Sequence, residues 1–574
     1  MNKPTSILQT DKYQFTMSYA YLMLNRGAER TGFESFVRKI KKNITQDKFY
    51  IFNAEKEVIE FMKKITSEIN EPDFFDKYWK YIENDVDVTT YEKAKKEFQK
   101  ILKEDIDYSV MKNETKIYPK VPVFQFNGPK FIGQMIETPI TNIINGRVGI
   151  YSYKNKKRIK EKVENNNKIV NSYKVKIRNR AKEYRNATSK ILLEAGYRRA
   201  PSFNIAKFAS KTAINSGWNG TSNTSLFGEI DNEKIGGTMA HSFIMSFVEN
   251  GETNEIKAFK AWNDIFGKST LLIDTYDTVE AIKSLIKHNI KPYAVRIDSD
   301  PIEELAKSVR EIMDSANWKD VKIFLSGDIT PEKLIKWEKE NIPFDICMAG
   351  TKYVNLDEAE NINPGFVYKV VEFERDNGVI EYPEKKAIGK SNYPGLKVIE
   401  VDSNGNINMT VSREGDFGFY NTDNISNNAV VNFAGPETII TAEREVDFNN
   451  IEDILNYFLE VAYINYRELN PIIIESYFEL YKGRPMSKEE LIKIKISFND
   501  EIDHLNLIFE HISVYMFNLT SEKDKKSFIE FFKNKYDYYS ELFKDCYAES
   551  RIDFEKFKKE KFKMFKLNIV KEII

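Results

Sequence analysis

His241 is one of only four histidines in the 574-residue chain, and it follows a small-residue turn in the run GGTMAHSFIMSF (236–247). A neutral imidazole is nucleophilic, and an ordinary pKa of about 6.5 leaves much of it uncharged at cellular pH. His241 is therefore a candidate reactive group. A histidine ahead of an apolar run is also typical of a partly buried structural residue. The run alone does not decide whether His241 is a reactive or a structural histidine.

Polar residues also recur at regular intervals between residues 269 and 351. Four short apolar runs, at 269–277, 291–300, 321–330 and 344–351, end in polar residues or glycine. The residues at these ends are Asp274, Arg296, Asp298, Gly327, Asp328, Gly350 and Thr351. Turn formation alone accounts for many such residues. Four successive ends, one with an arginine, favour a ligand site, because parallel strands present ligand groups at their carboxyl edge.

Amphipathic helical patterns separate these runs, so the segment predicts parallel βαβ units. Two helix starts are indicated by Pro301 and by Thr330, which precedes Pro331. Either an α/β barrel or a doubly wound sheet fits this alternation. The fold class expected for the central segment is therefore α/β.

Nine motifs along residues 8–440 together closely resemble those of the nicotinate phosphoribosyltransferase family. They are LQTDKYQFTM (8–17), FESFVRK (33–39), ETPITNIIN (137–145), YRRAPS (197–202), NGTSNTSL (219–226), GTMAHSF (237–243), LLIDTYDT (271–278), VRIDS (295–299) and AGTKYV (349–354). Each motif is weak by itself, but nine in one order are specific. The resemblance implies the irregular α/β barrel of type II phosphoribosyltransferases. The sequence pattern adds a flanking α+β domain and a helical C-terminal extension to this expected fold.

The resemblance also implies a reaction. The family transfers phosphoribosyl from 5-phosphoribosyl 1-diphosphate to nicotinate, which gives nicotinate mononucleotide and pyrophosphate and begins NAD salvage from nicotinic acid. ATP hydrolysis is coupled through a phosphohistidine, which would be His241, and Mg²⁺ is the expected cofactor because the departing pyrophosphate must be neutralised. A homodimer with shared active sites is the expected assembly.

Site residues follow from the resemblance position by position. Tyr13 matches a ring-stacking tyrosine contributed by the partner subunit, and Arg38 is a candidate phosphate contact from the neighbouring subunit. Arg198 would face the nicotinate carboxylate or the diphosphate. Arg296 would lie near the ring, and Asp298 would bind the ribose hydroxyls.

The remaining implied roles concern the phosphate and the choice of substrate. Gly327 and Asp328, with Gly350 and Thr351, resemble the cradle of the 5-phosphate, and Thr238 accompanies His241 in the GTMAHSF motif. In the related nicotinamide-using enzymes, the position that matches Ser222 resembles an aspartate. Serine can donate to a carboxylate that an aspartate would repel, so Ser222 favours nicotinate.

Three positions depart from the family pattern. Ala195 stands where a ring-stacking phenylalanine is expected, and Tyr197 could replace that ring only if the backbone shifted. Pro301 follows the strand that carries Arg296 and Asp298, and Met348 occupies a glycine position beside the phosphate cradle. These changes leave open a catalytically weakened relative that serves as a binding or scaffold protein. A sibling that uses nicotinamide or quinolinate is the other alternative.

Domain boundaries are expected at three places. Residues 1–140, completed by 366–440, form an N-terminal α+β domain; residues 141–365 form the barrel; residues 441–574 form a helical extension. A basic insert at 154–190 contains fourteen Lys or Arg against three acidic residues. A solvated helical hairpin is the expected structure of this insert, and a patch for nucleic acid or an acidic partner is the alternative.

Composition limits the other functions. The net charge is −1 and the pI is about 6.6, so nothing in the overall charge favours nucleic acid or an anionic membrane as a partner. Two cysteines give no disulfide framework. The first residues lack the apolar core of a signal peptide, and no long apolar run occurs, so we expect a cytoplasmic protein.

Overall fold

The computed structural model describes residues 3–39, 48–152, 157–160, 167–249, 252–355, 364–375, 378–383, 393–403, 405–412, 417–420 and 431–434. The chain divides into two compact units, Met1–Asn432 and Phe433–Ile574. The helical extension expected at 441–574 lies outside the described residues. No described helix is long and apolar enough to cross a membrane.

The helices and strands are numbered in chain order. The helices are α1 (Lys12–Met23), α2 (Glu55–Glu68), α3 (Phe74–Trp79), α4 (Tyr91–Ile101), α5 (Lys130–Met135), α6 (Glu137–Asn145), α7 (Asn167–Ala187), α8 (Phe203–Asn215), α9 (His241–Met245), α10 (Glu255–Phe266), α11 (Thr278–Lys287), α12 (Ile302–Ser315), α13 (Pro331–Lys339) and α14 (Thr351–Val354). The strands are β1 (Arg30–Val37), β2 (Lys48–Ile51), β3 (Asp107–Val110), β4 (Phe124–Pro129), β5 (Gly149–Ser152), β6 (Lys157–Lys160), β7 (Ile191–Glu194), β8 (Gly220–Thr221), β9 (Val248–Glu249), β10 (Glu252–Thr253), β11 (Thr270–Leu272), β12 (Ala294–Ile297), β13 (Lys322–Ser326), β14 (Ile346–Ala349), β15 (Phe366–Glu374), β16 (Ile380–Glu381), β17 (Lys397–Val401), β18 (Ile407–Val411), β19 (Gly418–Tyr420) and β20 (Val431–Ala434).

A six-stranded parallel sheet in the order β11-β12-β13-β14-β7-β8 forms a curled half-barrel. The four apolar runs are β11 to β14, and α11, α12 and α13 connect them, so the α/β prediction is confirmed. Thr330 caps α13 by accepting from the backbone N–H of Lys333 at 3.2 Å. Pro301 directly precedes α12 instead of lying in its first turn.

Side chains of this sheet alternate between two faces, as strand geometry requires. Val295, Ile323 and Leu325 belong to the large apolar core that includes residues of the covering helices. The neighbouring positions Phe324 and Ile346 belong to a separate small cluster. The same alternation puts Arg296, Ser326 and Met348 on that second face, so the inner face of the half-barrel carries both polar and apolar side chains.

An antiparallel sheet in the order β16-β15-β1-β4-β3 flanks the half-barrel. Strand β1 pairs with β4 on one side and with β15 on the other, so residues 30–37 and 366–374 share one sheet. Smaller sheets comprise β2, β5 and β6, the hairpin of β9 and β10, and the strands β17 to β19. Residues 1–432 form a single compact unit. The domain boundaries expected near residues 140 and 366 within this unit stay predictions.

The structure of the basic insert differs from the helical hairpin that the sequence led us to expect. Its described part contains the short strand β6 and one 21-residue helix, α7. Two arginines of α7 contact other parts of the chain: Arg180 donates to the carbonyl of Lys352 at 2.9 Å, and Arg178 lies 5.0 Å from the ring centre of Phe208. These guanidinium groups form a hydrogen bond to a backbone carbonyl and a cation–π contact, whereas in a solvated hairpin they would contact water. This part of the insert is a packed support beside α8 and α14.

Lys397 and Glu34 form an ion pair inside the flanking region. The Lys397 Nζ lies 2.6 Å from the Glu34 carboxylate, and neither side chain is more than 1% exposed. Burial raises the pKa of Glu34 to about 7 and lowers the pKa of Lys397, while the opposite charge of each partner works against these shifts. The carbonyl of Tyr393 also accepts from Nζ at 2.8 Å. The pair therefore has the hydrogen bonds that a buried charge requires.

Lys397→Met is expected to destabilise the protein by about 3–5 kcal/mol, because it leaves the Glu34 carboxyl buried without its partner. The double variant Glu34→Gln/Lys397→Met removes both charges and should recover most of that loss. Urea unfolding of both variants measures the difference. Equal stability of the single variant and wild type would contradict the inferred role of the pair.

Candidate functional site

A cavity of about 540 Å³ opens at the carboxyl edge of the parallel sheet. Every site residue expected from the sequence lines it: Tyr13, Arg38, Arg198, Ser222, Thr238, His241, Arg296, Asp298, Gly327, Asp328, Gly350 and Thr351. The cavity continues over the inner face of the half-barrel, where Phe324, Ile346 and Leu193 supply apolar walls. A polar rim above an apolar floor suits a ligand with a flat ring and several charged groups.

His241 is the first residue of α9 and is 12% exposed. Its Nε2 lies 3.9 Å from carboxylate oxygens of both Asp274 and Asp298, and its Nδ1 lies 3.2 Å from the Thr275 hydroxyl. Two nearby carboxylates favour the tautomer with the proton on Nε2, which leaves the lone pair on Nδ1. They would also stabilise positive charge that develops on the ring. His241 thus lies at the cavity wall in an acidic setting.

Arg296 and Asp298 are held by a shared hydrogen-bond network. The Arg296 guanidinium donates to the Thr238 hydroxyl at 3.2 Å and to the Met239 carbonyl at 3.1 Å. Its Nε donates to the Ser326 hydroxyl at 3.1 Å, and Ser326 in turn donates to Asp298 at 2.7 Å. The network ties the end of β12 to the loop that precedes His241. Arg296 therefore presents a fixed positive charge to the cavity.

The backbone after β13 and β14 comes very close to neighbouring chain. Gly327 has φ of +100°, a conformation that favours glycine, and Asp328 follows with φ of +43°. A Cβ at Gly350 would lie 2.7 Å from the carbonyl oxygen of Ala195. Both glycines are therefore required by local geometry, whether or not a phosphate binds beside them.

Three arginines, Arg38, Arg198 and Arg199, line one side of the cavity. Burial, with the charges of Arg198 and Arg38, lowers the pKa of Arg199 to about 9, and burial with the charge of Arg198 lowers the pKa of Arg38. Positive groups that disfavour one another's charge are characteristic of an anion-binding site. The Tyr13 hydroxyl, which ionises only at high pH, and the carboxylates of Glu137 and Asp11 instead raise the pKa of Arg198, against the effect of burial.

Tyr13 lies in the cavity of its own chain, which differs from the expectation of a tyrosine from a partner subunit. The start of α1 and the residues before it are fixed on the loop after β8: the Lys12 N–H donates to the Ser222 carbonyl at 2.6 Å, and the Thr10 N–H to the Thr224 hydroxyl at 2.9 Å. Arg38 lines the same cavity from the same chain. Neither residue needs a second subunit to reach the site, and the homodimer stays a prediction.

Ser222 contributes its hydroxyl to a neighbouring carboxylate. Its Oγ donates to Asp11 at 2.9 Å, while the Thr138 hydroxyl donates to the other oxygen of Asp11 at 2.6 Å. The expected hydrogen bond from Ser222 to a substrate carboxylate therefore requires that its proton leave Asp11.

A buried chain of polar side chains joins Arg198 to the residue after His241. Arg198 pairs with Glu137, which accepts from the Gln14 amide at 2.9 Å. Gln14 accepts from Gln134, and Gln134 accepts from the Ser242 hydroxyl at 3.1 Å. Every donor points toward the Glu137 carboxylate, so the chain orients α9 relative to Arg198.

Two departures from the family pattern can be placed. Tyr197 is completely buried, donates its hydroxyl to the Gln9 carbonyl at 3.0 Å and packs on Phe203, so it does not replace a ring at Ala195. Ala195 lines the cavity itself. Met348 points into the cavity from β14, where a glycine would leave more space.

Several cavity residues escaped the site prediction although they lie within the quoted motifs. Asp11 precedes Tyr13 in LQTDKYQ, Glu137 opens ETPITNIIN, and Arg199 is the second arginine of YRRAPS. The presence of a charged residue within such a motif could have indicated that the residue lies in the site. Their partners, however, come from segments more than forty residues away, which the sequence order does not show.

No group of three or more His, Cys, Asp or Glu side chains in the described part of the chain could hold a metal ion. Carboxylates nevertheless line the cavity at Asp298 and Asp328. Mg²⁺ is commonly held by one or two carboxylates together with substrate phosphates. These two residues fit that mode of binding.

Comparison with known proteins gives a consistent result. Residues 8–145 match the model of the nicotinate phosphoribosyltransferase (NAPRTase) N-terminal domain. A nicotinate phosphoribosyltransferase of Bacillus subtilis (strain 168) is 22% identical over 382 residues, which cover 65% of this chain and 68% of that protein. One of Caenorhabditis elegans is 26% identical over 485 residues, covering 70% and 78%. Residues 8–145 are thus similar to the N-terminal domain of nicotinate phosphoribosyltransferases, and the relatives that match a larger share of the chain carry that name.

The fold agrees with that of a nicotinate phosphoribosyltransferase. The crystal structure of the enzyme from Porphyromonas gingivalis superposes with a TM-score of 0.50 at 17% identity and covers 67% of this chain and 94% of that one. The part matched by the nicotinate phosphoribosyltransferase N-terminal model supplies Asp11, Tyr13, Arg38 and Glu137 to the cavity. The half-barrel supplies the strand-end residues that face them.

Proposed function

We propose that this protein transfers the phosphoribosyl group of 5-phosphoribosyl 1-diphosphate to nicotinate, which forms nicotinate mononucleotide and pyrophosphate. This reaction is the first step of NAD salvage from nicotinic acid. The observation that carries the proposal is that His241, Arg296 and Asp298 line the same cavity of about 540 Å³ as three further arginines. These arginines, Arg38, Arg198 and Arg199, are called the arginine cluster below. The names of the relatives support the same activity.

In the transfer step the bond from ribose C1 to the diphosphate oxygen breaks, and a bond from C1 to the ring nitrogen of nicotinate forms. The pyridine nitrogen attacks with its own lone pair, so no proton has to be removed from it. The arginine cluster and Arg296 stabilise the charge that develops on the departing pyrophosphate. In this proposal Asp298 binds the ribose hydroxyls and Tyr13 gives the nicotinate ring an aromatic contact, which their positions in the cavity lining support.

ATP coupling is proposed through His241. The unprotonated ring nitrogen, Nδ1 in this arrangement, attacks the γ-phosphorus of ATP; the bond from that phosphorus to the β–γ bridging oxygen breaks, and ADP leaves. Asp274 and Asp298 stabilise the positive charge on the phosphorylated ring. Hydrolysis of the phosphohistidine returns His241 to its starting state and makes the overall transfer more favourable.

Mg²⁺ is the proposed cofactor and would supply positive charge to the phosphate groups. Asp298 and Asp328 are the residues that would share the ion with the diphosphate.

An acceptor comparison tests this proposal. Nicotinate, nicotinamide and quinolinate are supplied in separate reactions with 5-phosphoribosyl 1-diphosphate, ATP and Mg²⁺, because transfer to quinolinate with loss of CO₂ gives the same mononucleotide as transfer to nicotinate. We expect nicotinate mononucleotide from the nicotinate reaction and none from the quinolinate reaction. Accumulation of nicotinamide mononucleotide instead would identify a nicotinamide-using sibling, and the absence of every nucleotide would identify a binding or scaffold protein.

Ala195→Phe is expected to lower the KM for nicotinate by about 2- to 10-fold, because an aromatic contact contributes about 0.5–1.5 kcal/mol. The side chain enters the cavity without disturbing Tyr197, which packs elsewhere. Initial rates at varied nicotinate concentration measure the effect. Ala195→Leu is the control for filled volume, and an equal change in both variants would show that the ring itself contributes nothing.

A further inference from the structure

Asp11 is a carboxylate at the cavity wall that the proposed reaction does not use. Its side chain is almost completely buried, at 1% exposed, yet it borders the cavity beside Ser222. One of its oxygens accepts from Ser222 at 2.9 Å and the other from Thr138 at 2.6 Å. The backbone contact from Lys12 to Ser222 fixes the two residues relative to each other.

Charges of both signs face Asp11. Arg198 favours its ionised form, although Arg198 is itself paired with Glu137, and the Glu194 carboxylate disfavours it. Burial is the largest influence and raises the pKa of Asp11 to about 7, against the hydrogen bonds from Thr138 and Ser222. Protonated and ionised forms are therefore both accessible near neutral pH.

The protonation state of Asp11 determines what Ser222 offers to a ligand. When Asp11 is ionised, Ser222 donates its only proton to Asp11, and its oxygen presents lone pairs to the cavity. This arrangement suits the NH₂ group of a ring amide. When Asp11 is protonated, it donates to Ser222, whose own proton can then turn toward a ring carboxylate.

We propose that Asp11 is a specificity-determining residue, which binds a proton when a pyridine carboxylate enters the cavity so that Ser222 donates to that carboxylate. The inference rests on the proposed function, since it concerns the ring-binding end of the same cavity. The proton comes from solvent, so above pH 7, where free Asp11 is mostly ionised, close to one proton is taken up for each pyridine carboxylate bound and none for a pyridine amide. Ionised Asp11 also repels the incoming carboxylate, which favours the same coupling.

Titration calorimetry of the wild-type protein with nicotinate, in buffers of different ionisation enthalpy, counts the protons. At pH 8 we expect an uptake of close to one proton per nicotinate bound. The affinity should fall about tenfold for each pH unit above 7, because the ionised form must first be neutralised. Binding of nicotinate without proton uptake, at constant affinity between pH 6 and 9, overturns the role of Asp11 and leaves the proposed function intact. Failure to bind nicotinate at all overturns both.

Two variants locate the proton. Asp11→Asn has no titratable group, so nicotinate should bind without proton uptake and without pH dependence. Thr138→Val keeps the side-chain volume but removes one donor to Asp11, so the pH at which affinity begins to fall should move upward. Proton uptake by Asp11→Asn equal to that of wild type would place the proton on another group and reject the proposal.

Discussion

His241→Ala is expected to abolish the stimulation of phosphoribosyl transfer by ATP while a slower, ATP-independent transfer remains measurable. The variant removes the ring nitrogen that accepts the γ-phosphoryl group, but it leaves Arg296, Asp298 and the arginine cluster in the cavity. Initial rates of nicotinate mononucleotide formation with and without ATP give the stimulation as a ratio. The ratio should fall to one in the variant.

His288→Ala is the matched control for this experiment. His288 is an exposed histidine at the end of α11, where its Nδ1 lies 2.9 Å from the Ser284 carbonyl, and it does not line the cavity. Its replacement should leave the ATP stimulation unchanged. Equal stimulation of wild type and His241→Ala would contradict the proposed phosphohistidine.

Arg296→Lys is expected to lower kcat/KM by about 10²- to 10³-fold, the range found when a preorganised transition-state donor is lost. A lysine keeps the charge, but it cannot donate at once to Thr238, Met239 and Ser326 as the guanidinium does. Loss of these bonds also frees the loop that precedes His241. The reaction should therefore suffer although the cavity stays positive.

Arg310→Lys provides the corresponding control. Arg310 on α12 also donates to carbonyl groups, at 2.9 Å to Val321 and 2.8 Å to Trp318, but lies away from the cavity. The kcat/KM of Arg310→Lys should match that of wild type at temperatures where the variant is folded. If Arg296→Lys retained full kcat/KM, the role of Arg296 in charge stabilisation would be rejected.

The sequence was sufficient to predict the parallel sheet because each strand and its cap can be recognised locally. The runs of β11 to β14 are apolar, end in polar residues and are followed by helices with recognisable starts, as at Thr330. Alternation of side chains along β12, continued to the residue that follows it, then places Arg296 and Asp298 on the same face. Residues at the ends of these strands could therefore be assigned to one site.

Contacts between distant segments could not be predicted in the same way. Nothing near Ser222 indicates that its proton is donated to Asp11, 211 residues earlier in the chain. The hairpin expected for the basic insert was wrong for a similar reason, since the partners of α7, such as Lys352 and Phe208, come from other parts of the fold. Charge composition alone does not distinguish a solvated helix from one whose cations are bound by backbone carbonyls.

Incubation with ATP labelled at the γ-phosphate, followed by peptide mapping under alkaline conditions, detects phosphorylation of His241 itself. We expect an acid-labile label on the peptide that contains His241, and its loss when 5-phosphoribosyl 1-diphosphate and nicotinate are added, together with formation of nicotinate mononucleotide. A label on any other residue, or product formation with no label on His241 under conditions of ATP stimulation, would contradict the proposed phosphorylation.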